Sequence, residues 1–416
     1  MSSPPPPVTV NWKHSILYIT LIISLLYSIE TLISHKLHIN HNQIRLKRSP
    51  NLPLRFRDDG TFKILQVADM HFGMGSITRC RDVTDAEYHY CSDLNTTRFL
   101  RRMIEAERPD LIAFTVKAVS ETDSLLELLH AWLTTDAAES LLEAIGPAIE
   151  YGIPWAAILG NHDQESTMNR ADLMTFLSLM DFSVSQINPP LEDDSERGAL
   201  RSIDGFGNYR LRVHGAPGSV LSNSTVFDLF FLDSGDRETV QGRRTYGWIK
   251  DSQLSWLQDT CKQGLKQNMG NVPSNPDPAL AFFHIPIPEV RDLWYTPFIG
   301  QFQEGVACSI VQSGVLNTFL SMGNVKAAFI GHDHVNDFCG NLKGVWFCYG
   351  GGFGYHAYGR QNWHRRARLI EVKLGKGRDT WTGVQRIKTW KRLDDKELSK
   401  IDEQVLWEAS SYSFLK

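Results

Sequence analysis

Six polar side chains of types that bind metal ions each follow an apolar run typical of a β-strand. The set consists of Asp69, His71, Asn161, His284, His332 and His334. Carboxylate and amide oxygens with imidazole nitrogens suit Zn, Mn or Fe, and no Cys-x-x-Cys sequence indicates a thiolate site instead. Six donors are enough for two divalent or trivalent ions, so we expect a dinuclear centre whose metal identity the sequence leaves open.

Two residues beside this set would complete a hydrolytic site. Two adjacent metals polarise a phosphoryl oxygen and lower the pKa of a bound water, which makes hydroxide available near neutral pH. His162 would then donate to the leaving group or to an equatorial phosphoryl oxygen, and Asp163 would orient its imidazole. Each of these polar motifs, taken alone, is more often part of a turn or a helix cap than of an active site. All four clusters, at 69–71, 161–163, 284 and 332–334, occur in order and each follows an apolar run, which favours a functional site.

The elements that position these residues alternate between strand and helix. The predicted strands are 62–67, 111–115, 155–159, 227–232, 279–283 and 325–330, and helical patterns cover 95–107 and 137–149. This alternation predicts an α/β sandwich with mixed or parallel sheets. Ligands gather at the carboxyl ends of strands in such folds, so the polar clusters should share one cleft.

Composition excludes several classes of protein. The 416 residues are 42% hydrophobic and 22% charged, unlike a disordered, collagenous or polytopic membrane chain. A net charge of −4 argues against a nucleic-acid partner. Among six cysteines, the spacing allows bridges Cys80–Cys91 and Cys339–Cys348, which leaves Cys261 and Cys308 as a third pair or free thiols.

The N-terminal region carries a targeting signal. After a tail at 1–15, the apolar segment 16–33 is a signal peptide or an uncleaved anchor, with a buried core helix as the alternative. We expect a linker at 34–58, a catalytic domain at 59–407 and a tail at 408–416, so any membrane contact should involve only the N-terminal segment.

The side of the membrane on which the domain lies has two interpretations. Glycosylation acceptors at Asn95 and Asn223 favour the secretory pathway, with a secreted or membrane-anchored protein. The basic residues after the apolar segment outnumber Lys13 before it, which by the positive-inside rule favours the cytoplasmic side. We expect the secretory side and keep the cytoplasmic side as the alternative.

Further motifs connect the chain to a known family. They are Cys91–Thr97, Ile203–Tyr209, the glycine-rich run Gly350–Gly359 and Lys388–Asp395. With the metal motifs, they make residues 62–407 resemble the calcineurin-like metallophosphoesterases, in the plant purple-acid-phosphatase-like branch of the probable inactive type, related to a yeast phosphatase. The resemblance implies a four-layer α/β/β/α sandwich. It also implies two sets of metal ligands, Asp69, His71 and His334 on one ion and Asn161, His284 and His332 on the other, with His162 as the catalytic histidine.

The chain departs from that family at one motif. The family has Gly-Asp-Asn after the second strand, and the aspartate bridges the two metals. This chain has Val116, Lys117 and Ala118 there, and the match resumes at residue 135. An ammonium group at that place would repel the metals. The atypical insert 116–134 has three explanations: alternative splicing or a mistaken gene model, a genuine change that creates a pseudoenzyme, or a substitute bridge from Glu121 or Asp123.

The resemblance implies a phosphoric monoester hydrolase acting on a phosphorylated small molecule or a phosphoprotein. The alternatives are an inactive pseudophosphatase that binds phosphorylated ligands, and a phosphodiesterase. His356 is a candidate for the phosphate pocket, with an ordinary turn histidine as the alternative. The basic cluster 360–368 is typical of a solvated face, although it would also attract anionic substrates.

Overall fold

A computed structural model describes residues 12–38, 47, 52–73, 75–116, 137–163, 168–189, 202–267, 276–378 and 380–409. The chain divides into two compact units, Met1–Arg45 and Leu46–Lys416. Apart from Val116, the atypical insert predicted at 116–134 lies outside the described residues, as do the proposed substitute bridges Glu121 and Asp123.

The N-terminal unit contains helix α1, Trp12–His38, which extends beyond both ends of the apolar segment predicted at 16–33. Its stretch Trp12–Ile29 is long and apolar enough to cross a membrane and lies near the N-terminus, as a signal sequence does. The side chains described in that stretch are exposed. The helix therefore fits a signal sequence or an anchor better than a core helix.

The larger unit alternates strands and helices. Its strands are β1 (Leu54–Arg55), β2 (Thr61–Ala68), β3 (Leu111–Val116), β4 (Trp155–Leu159), β5 (Tyr209–His214), β6 (Thr225–Phe231), β7 (Arg237–Val240), β8 (Arg243–Tyr246), β9 (Ala279–Phe282), β10 (Phe298–Ile299), β11 (Val325–Ile330), β12 (Cys339–Leu342), β13 (Val345–Tyr349), β14 (Arg366–Lys376), β15 (Trp381–Leu393) and β16 (Lys400–Glu408). Its helices are α2 (Asp85–Tyr88), α3 (Leu94–Glu107), α4 (Ala137–Glu150), α5 (Arg170–Leu179), α6 (Asp251–Gln267) and α7 (Val315–Met322), with a 3₁₀ helix at Pro288–Tyr295.

Within the described residues these strands form two large sheets and a hairpin. The eight-stranded sheet has the order β1-β5-β6-β9-β11-β13-β12-β10, the six-stranded sheet has the order β16-β15-β14-β2-β3-β4, and β7 pairs with β8. Strands β2, β3 and β4 are parallel, as are β6, β9, β11 and β13. In each sheet the parallel strands therefore end at one edge.

Burial explains the layered arrangement. All residues of β4 and β9 are buried, as expected for strands covered on both faces. The sheets contact each other through β11 with β16 and β6 with β15. Helix α5 contacts β4, α7 contacts β11 and β13, and α3 packs against α4. The predicted α/β sandwich of the four-layer type is confirmed.

The segment predicted as a linker contributes to the folded unit. Strand β1 lies within 34–58 and pairs in parallel with β5, through Leu54 opposite Val213. Leu54 and Phe56 are buried at 4% and 1% exposure. Burial of these two apolar side chains stabilises the end of that segment against the sheet, contrary to its polar appearance in sequence.

Disulfide bonds form as the cysteine spacing predicted. Cys80 pairs with Cys91, and Cys339 on β12 pairs with Cys348, which is directly opposite on β13. Cys261 and Cys308 are free thiols. The two-bridge prediction is confirmed, and the third pair does not form.

Candidate metal centre

The six donor side chains lie at the carboxyl ends of four strands. Asp69 and His71 follow β2 and Asn161 follows β4, all in the six-stranded sheet. The other three belong to the eight-stranded sheet, where His284 follows β9, and His332 and His334 follow β11. Each sheet thus supplies three donors, and all six residues are buried.

The first cluster is Asp69, His71 and His334. One ligand atom from each of these residues lies within 4.8 Å of the others. The Nε2 atoms of His71 and His334 are 2.9 Å apart, and His334 Nε2 is 3.5 Å from Asp69 Oδ1. Three donor atoms from two sheets therefore face one small volume, as a bound cation requires.

The second cluster is Asn161, His284 and His332. Asn161 Oδ1 lies 3.2 Å from His284 Nε2 and 3.0 Å from His332 Nδ1. Asp69 Oδ1 is 3.8 Å from His284 Nε2, so this carboxylate borders both clusters. The Asn161 Nδ2 atom is buried without a hydrogen-bond partner among the described residues, which leaves the side chain positioned by its oxygen.

Unusual backbone conformations orient three of these residues. Asp69, His71 and His332 have φ values of 54°, 46° and 80°, in the left-handed region where Asp and His occur more often than most residues. The Asp69 carboxylate accepts the His332 backbone N–H, with both oxygens 3.1 Å from the nitrogen. Such conformations persist where surrounding contacts enforce them and are common at functional sites.

The glycine-rich run joins the two ligand-bearing edges. Gly352 N–H donates to His334 O at 2.8 Å in one sheet, and Gly354 N–H donates to Asp69 O at 3.2 Å in the other. A Cβ atom on Gly354 would lie 1.6 Å from Met70 O, so only glycine fits there. These glycines therefore allow a close approach to the backbone that carries the ligands.

His162 has a neighbour that sequence analysis missed. It is half-buried, and its ring centroid is 6.3 Å from that of His71. Arg237 Nη2 lies 3.2 Å from His162 Nδ1 and 3.1 Å from its Nε2. Arg237 directly follows the polar sequence 233–236 at the end of β6. This position after a strand was the sequence feature that could have placed Arg237 near the site.

Asp163 contacts the backbone of the turn that carries two of the site residues. Its Oδ2 accepts the Gly160 N–H at 2.5 Å, and the orientation of His162 by its carboxylate stays a prediction. Arg170 donates to Gly160 O at 2.6 Å and pairs with Asp233. These contacts fix the turn that carries Asn161 and His162, so Asp163 acts on the backbone of that turn.

His334 is supported by groups outside the donor set. Its Nδ1 is 3.0 Å from Tyr358 O, and its ring stacks on that of Tyr358 at 3.8 Å between centroids. Tyr358 accepts the His334 backbone N–H at 3.2 Å and donates to Glu304. Burial raises the pKa of the Glu304 carboxyl, and burial and the Glu304 charge raise the pKa of the Tyr358 hydroxyl. A hydrogen bond to one ring nitrogen fixes the tautomer and the orientation of a histidine whose other ring nitrogen binds a metal.

Other predicted residues lie in different settings. His356 is buried, with Nδ1 2.7 Å from Arg79 O, a contact that favours the turn-histidine alternative. Asn223 is exposed just before β6, as a glycosylation acceptor requires. Asn95 lies half-buried in the first turn of α3, and the hydroxyl of buried Thr97 donates to Leu94 O. Of the two predicted acceptors, Asn223 is therefore the more exposed.

The bridging position lies just beyond the described part of β3. Ala68 on β2 is opposite Thr115, and Val116 is opposite Leu159 on β4. Strand β3 therefore lies between the two strands that supply Asp69 and Asn161. Lys117 itself lies outside the described residues.

The donor chemistry fits metal ions. One carboxylate, one amide oxygen and four imidazoles form two neighbouring buried clusters, a set that suits Zn, Mn or Fe. Such a centre can polarise a phosphoryl oxygen and activate water.

Comparisons with known proteins agree with this chemistry. The calcineurin-like phosphoesterase family matches residues 62–336. The chain is 79% identical to the probable inactive purple acid phosphatase 28 of Arabidopsis thaliana, over 98% of each chain. It is 49% identical to the probable inactive purple acid phosphatase 29 of the same plant, over 86% of this chain and 89% of that one. Phosphatase DCR2 of Saccharomyces cerevisiae is 31% identical over 86% of this chain and 58% of its own length.

Proposed function

The chain belongs to the calcineurin-like phosphoesterase family, and we propose that it is a metal-dependent phosphatase acting on phosphate monoesters. The family membership confirms the resemblance inferred from its motifs. The observation that carries the proposal is the convergence of six buried donors from two sheets into two adjacent clusters. A structural role alone does not account for so many metal-binding side chains at one edge.

In this proposal Asp69, His71 and His334 hold one ion, and Asn161, His284 and His332 hold the other. Metal ions bound there would supply an activated water and a positive field for the phosphoryl oxygens. Asp69 borders both clusters, so its carboxylate would help to set their separation.

The remaining role falls to His162. Its imidazole lies beside the first cluster and is half-buried, so part of the residue is accessible to an ester bound at the centre. We assign it the donation of a proton or hydrogen bond to the leaving oxygen. Asp163 fixes the backbone that presents this ring.

A second candidate function is supported by a specific observation. Lys117 stands where the family has its bridging aspartate, and two relatives are named probable inactive purple acid phosphatases. A missing carboxylate and an added ammonium would weaken metal binding. The chain would then be a pseudophosphatase that binds a phosphorylated small molecule or phosphoprotein without turnover.

The proposed location is the secretory pathway. The apolar helix α1, the two disulfide bonds and the exposed acceptor Asn223 together support a secreted or membrane-anchored protein. The cytoplasmic alternative rests on the positive charge after the apolar segment.

The test of the proposed function is turnover of two aryl esters by the full chain supplied with Mn²⁺, Zn²⁺ or Fe²⁺. We expect p-nitrophenyl phosphate to be cleaved faster than bis-p-nitrophenyl phosphate. His162→Ala should lower turnover by about a hundredfold, within the range typical of general acid–base catalysis. His89→Ala, at an exposed histidine outside the centre, should not.

Three results contradict the proposal in different ways. Faster diester cleavage would indicate a phosphodiesterase. Background turnover of both esters would favour the pseudophosphatase. Equal activity in His162→Ala and the unaltered chain would exclude the assigned catalytic role.

A further inference from the structure

The hairpin β7–β8 lies directly beside the metal centre. Tyr246 on β8 packs the edge of its ring against His332, at 4.4 Å between centroids. Arg237 on β7 reaches His162 at 3.1 Å. Arg237 and Tyr246 are directly opposite each other in the hairpin. The base of the hairpin thus contacts the centre through both strands.

One face of this hairpin points toward the centre. Residues opposite each other, and residues two apart along a strand, share a face of a β-ribbon. Thr239 is opposite Arg244, so Arg237, Thr239, Arg244 and Tyr246 share one face, and this face contacts the two histidines. Arg237 and Arg244 are exposed. The cavity that they line has a volume of about 730 Å³ and also includes Thr239 and Tyr246, with Glu238 and Thr245 from the opposite face.

The opposite face of the hairpin has its own partners. Glu238 lies 3.3 Å from Lys250, and Thr245 Oγ1 accepts the Ile310 N–H at 2.9 Å. Arg243 lies on this second face, since it is two residues from Thr245. The contacts on both faces hold the hairpin in place. The centre-facing side carries Arg237 and Arg244, and the opposite face carries Arg243.

The two arginines on the centre-facing side have a defined spacing. Arg237 and Arg244 are diagonal neighbours, for which the backbone separation is about 7–8 Å. Two residues of an extended peptide span about 7 Å. A guanidinium binds phosphate and carboxylate oxygens through paired N–H donors. One arginine can therefore contact a phosphate at the centre while the other contacts an anion two residues away.

We propose that this face selects acidic phosphopeptides: Arg237 binds the phosphate that enters the metal centre, and Arg244 binds a carboxylate two residues from the phosphorylated side chain. This inference rests on the proposed function for its site, and it adds the substrate class. Binding is sufficient to test it, because recognition by the hairpin precedes any chemistry.

The experiment uses two peptides in which phosphoserine is replaced by its non-hydrolysable methylene phosphonate. One peptide has Glu both two residues before and two residues after the phosphonate, and the other has Lys at both places. Their affinities for the full chain, purified in mild detergent with Mn²⁺, are measured by calorimetry. We expect the Glu peptide to bind about fivefold more tightly, the size of one exposed ion pair.

Matched variants distinguish the two faces. Arg244→Gln should abolish the preference for the Glu peptide, whereas Arg243→Gln removes the same charge from the opposite face of the same strand and should retain it. Arg237→Gln should weaken both peptides by about tenfold and leave the preference intact. Melting temperatures of the variants confirm that each remains folded.

Loss of preference in both Arg243→Gln and Arg244→Gln would overturn the inference, because only the general positive charge would then matter. Equal binding of both peptides by the unaltered chain would overturn it as well. Turnover of matching phosphoserine peptides separates the two proposals. Selective binding without hydrolysis would contradict the phosphatase and leave the inference standing, whereas hydrolysis without selectivity would do the reverse.

Discussion

The two large sheets contribute equally to the centre in number and differently in chemistry. The eight-stranded sheet supplies three histidines, and the six-stranded sheet supplies Asp69, His71 and Asn161. The only carboxylate of the six-donor set therefore comes from the six-stranded sheet. That sheet also contains β3, whose carboxyl end is followed by Lys117 in place of an acidic residue.

The difference indicates which substitutions should weaken metal binding most. Each cluster takes donors from both sheets, so neither sheet can hold a metal alone. The histidines of the eight-stranded sheet are neutral ligands, and charge balance depends on the six-stranded sheet. The six-donor set has one carboxylate for two cations. We therefore expect the affinity of the centre for metal to depend most on the negative charge that the six-stranded sheet supplies.

The largest effect should come from Asp69→Ala. Asp69 borders both clusters and holds the His332 backbone, so its loss should release both ions. Turnover of p-nitrophenyl phosphate should fall at least about a thousandfold, since metal activation supplies several kcal/mol. Elemental analysis measures the metal content. Asp259→Ala, which removes an exposed carboxylate on α6, is the matched control and should change neither quantity.

Gly354→Ala tests the connection between the sheets. The added methyl group would collide with Met70 O, so we expect a loss of about 3 kcal/mol in the free energy of unfolding. Gly305→Ala is the control, because Gly305 is exposed with nothing within 4 Å of an added Cβ, and alanine there should change the free energy of unfolding by less than about 1 kcal/mol. Urea unfolding curves measure both. An unchanged midpoint for Gly354→Ala would contradict the described contact.

Single histidine variants separate the two clusters. His284→Ala leaves its cluster only the neutral donors Asn161 and His332, and we expect one ion per chain. His71→Ala leaves a cluster that retains the Asp69 carboxylate, so its ion should persist with affinity lowered by at least about a hundredfold, the upper end of the range for groups that only support a ligand. Metal titration with stoichiometry distinguishes them. Identical behaviour of the two variants would show that the carboxylate does not make the clusters unequal.

The smallest effect should come from Tyr358→Phe. The change removes the hydroxyl that accepts the His334 N–H and donates to Glu304, and it preserves the ring stacked on His334. Metal affinity should fall about tenfold, at the lower end for groups that support a ligand. A loss as large as that of His284→Ala would mean that Tyr358 contributes more than support.

Sequence patterns predicted the buried strands well. The predicted segments 155–159 and 325–330 are β4 and β11 with the same bounds, because mostly apolar runs that stop at polar clusters leave little choice of where a strand ends. The six donors were predicted for the same reason. Their types are unusual directly after buried strands, and parallel strands bring their carboxyl ends together.

Polar elements could not be predicted in this way. The hairpin β7–β8 is largely exposed, so its sequence carries no hydrophobic alternation and its contact with His162 depends on tertiary structure. The basic cluster 360–368 was expected to be solvated. Arg368 is instead fully buried, donating to Tyr349 O and Asp337 O at 2.7 Å each, and Arg366 pairs with Asp337. Such pairing depends on residues distant in sequence.

The number of metal ions bound per chain decides whether the six donors form a dinuclear centre. We would measure it for the full chain at saturating Mn²⁺, beside a variant that restores the family motif through Val116→Gly, Lys117→Asp and Ala118→Asn. We predict two ions per chain in both proteins, with the weaker site at least about tenfold tighter in the restored variant, because a carboxylate replaces an ammonium. At most one ion in the unaltered chain at saturation would contradict it.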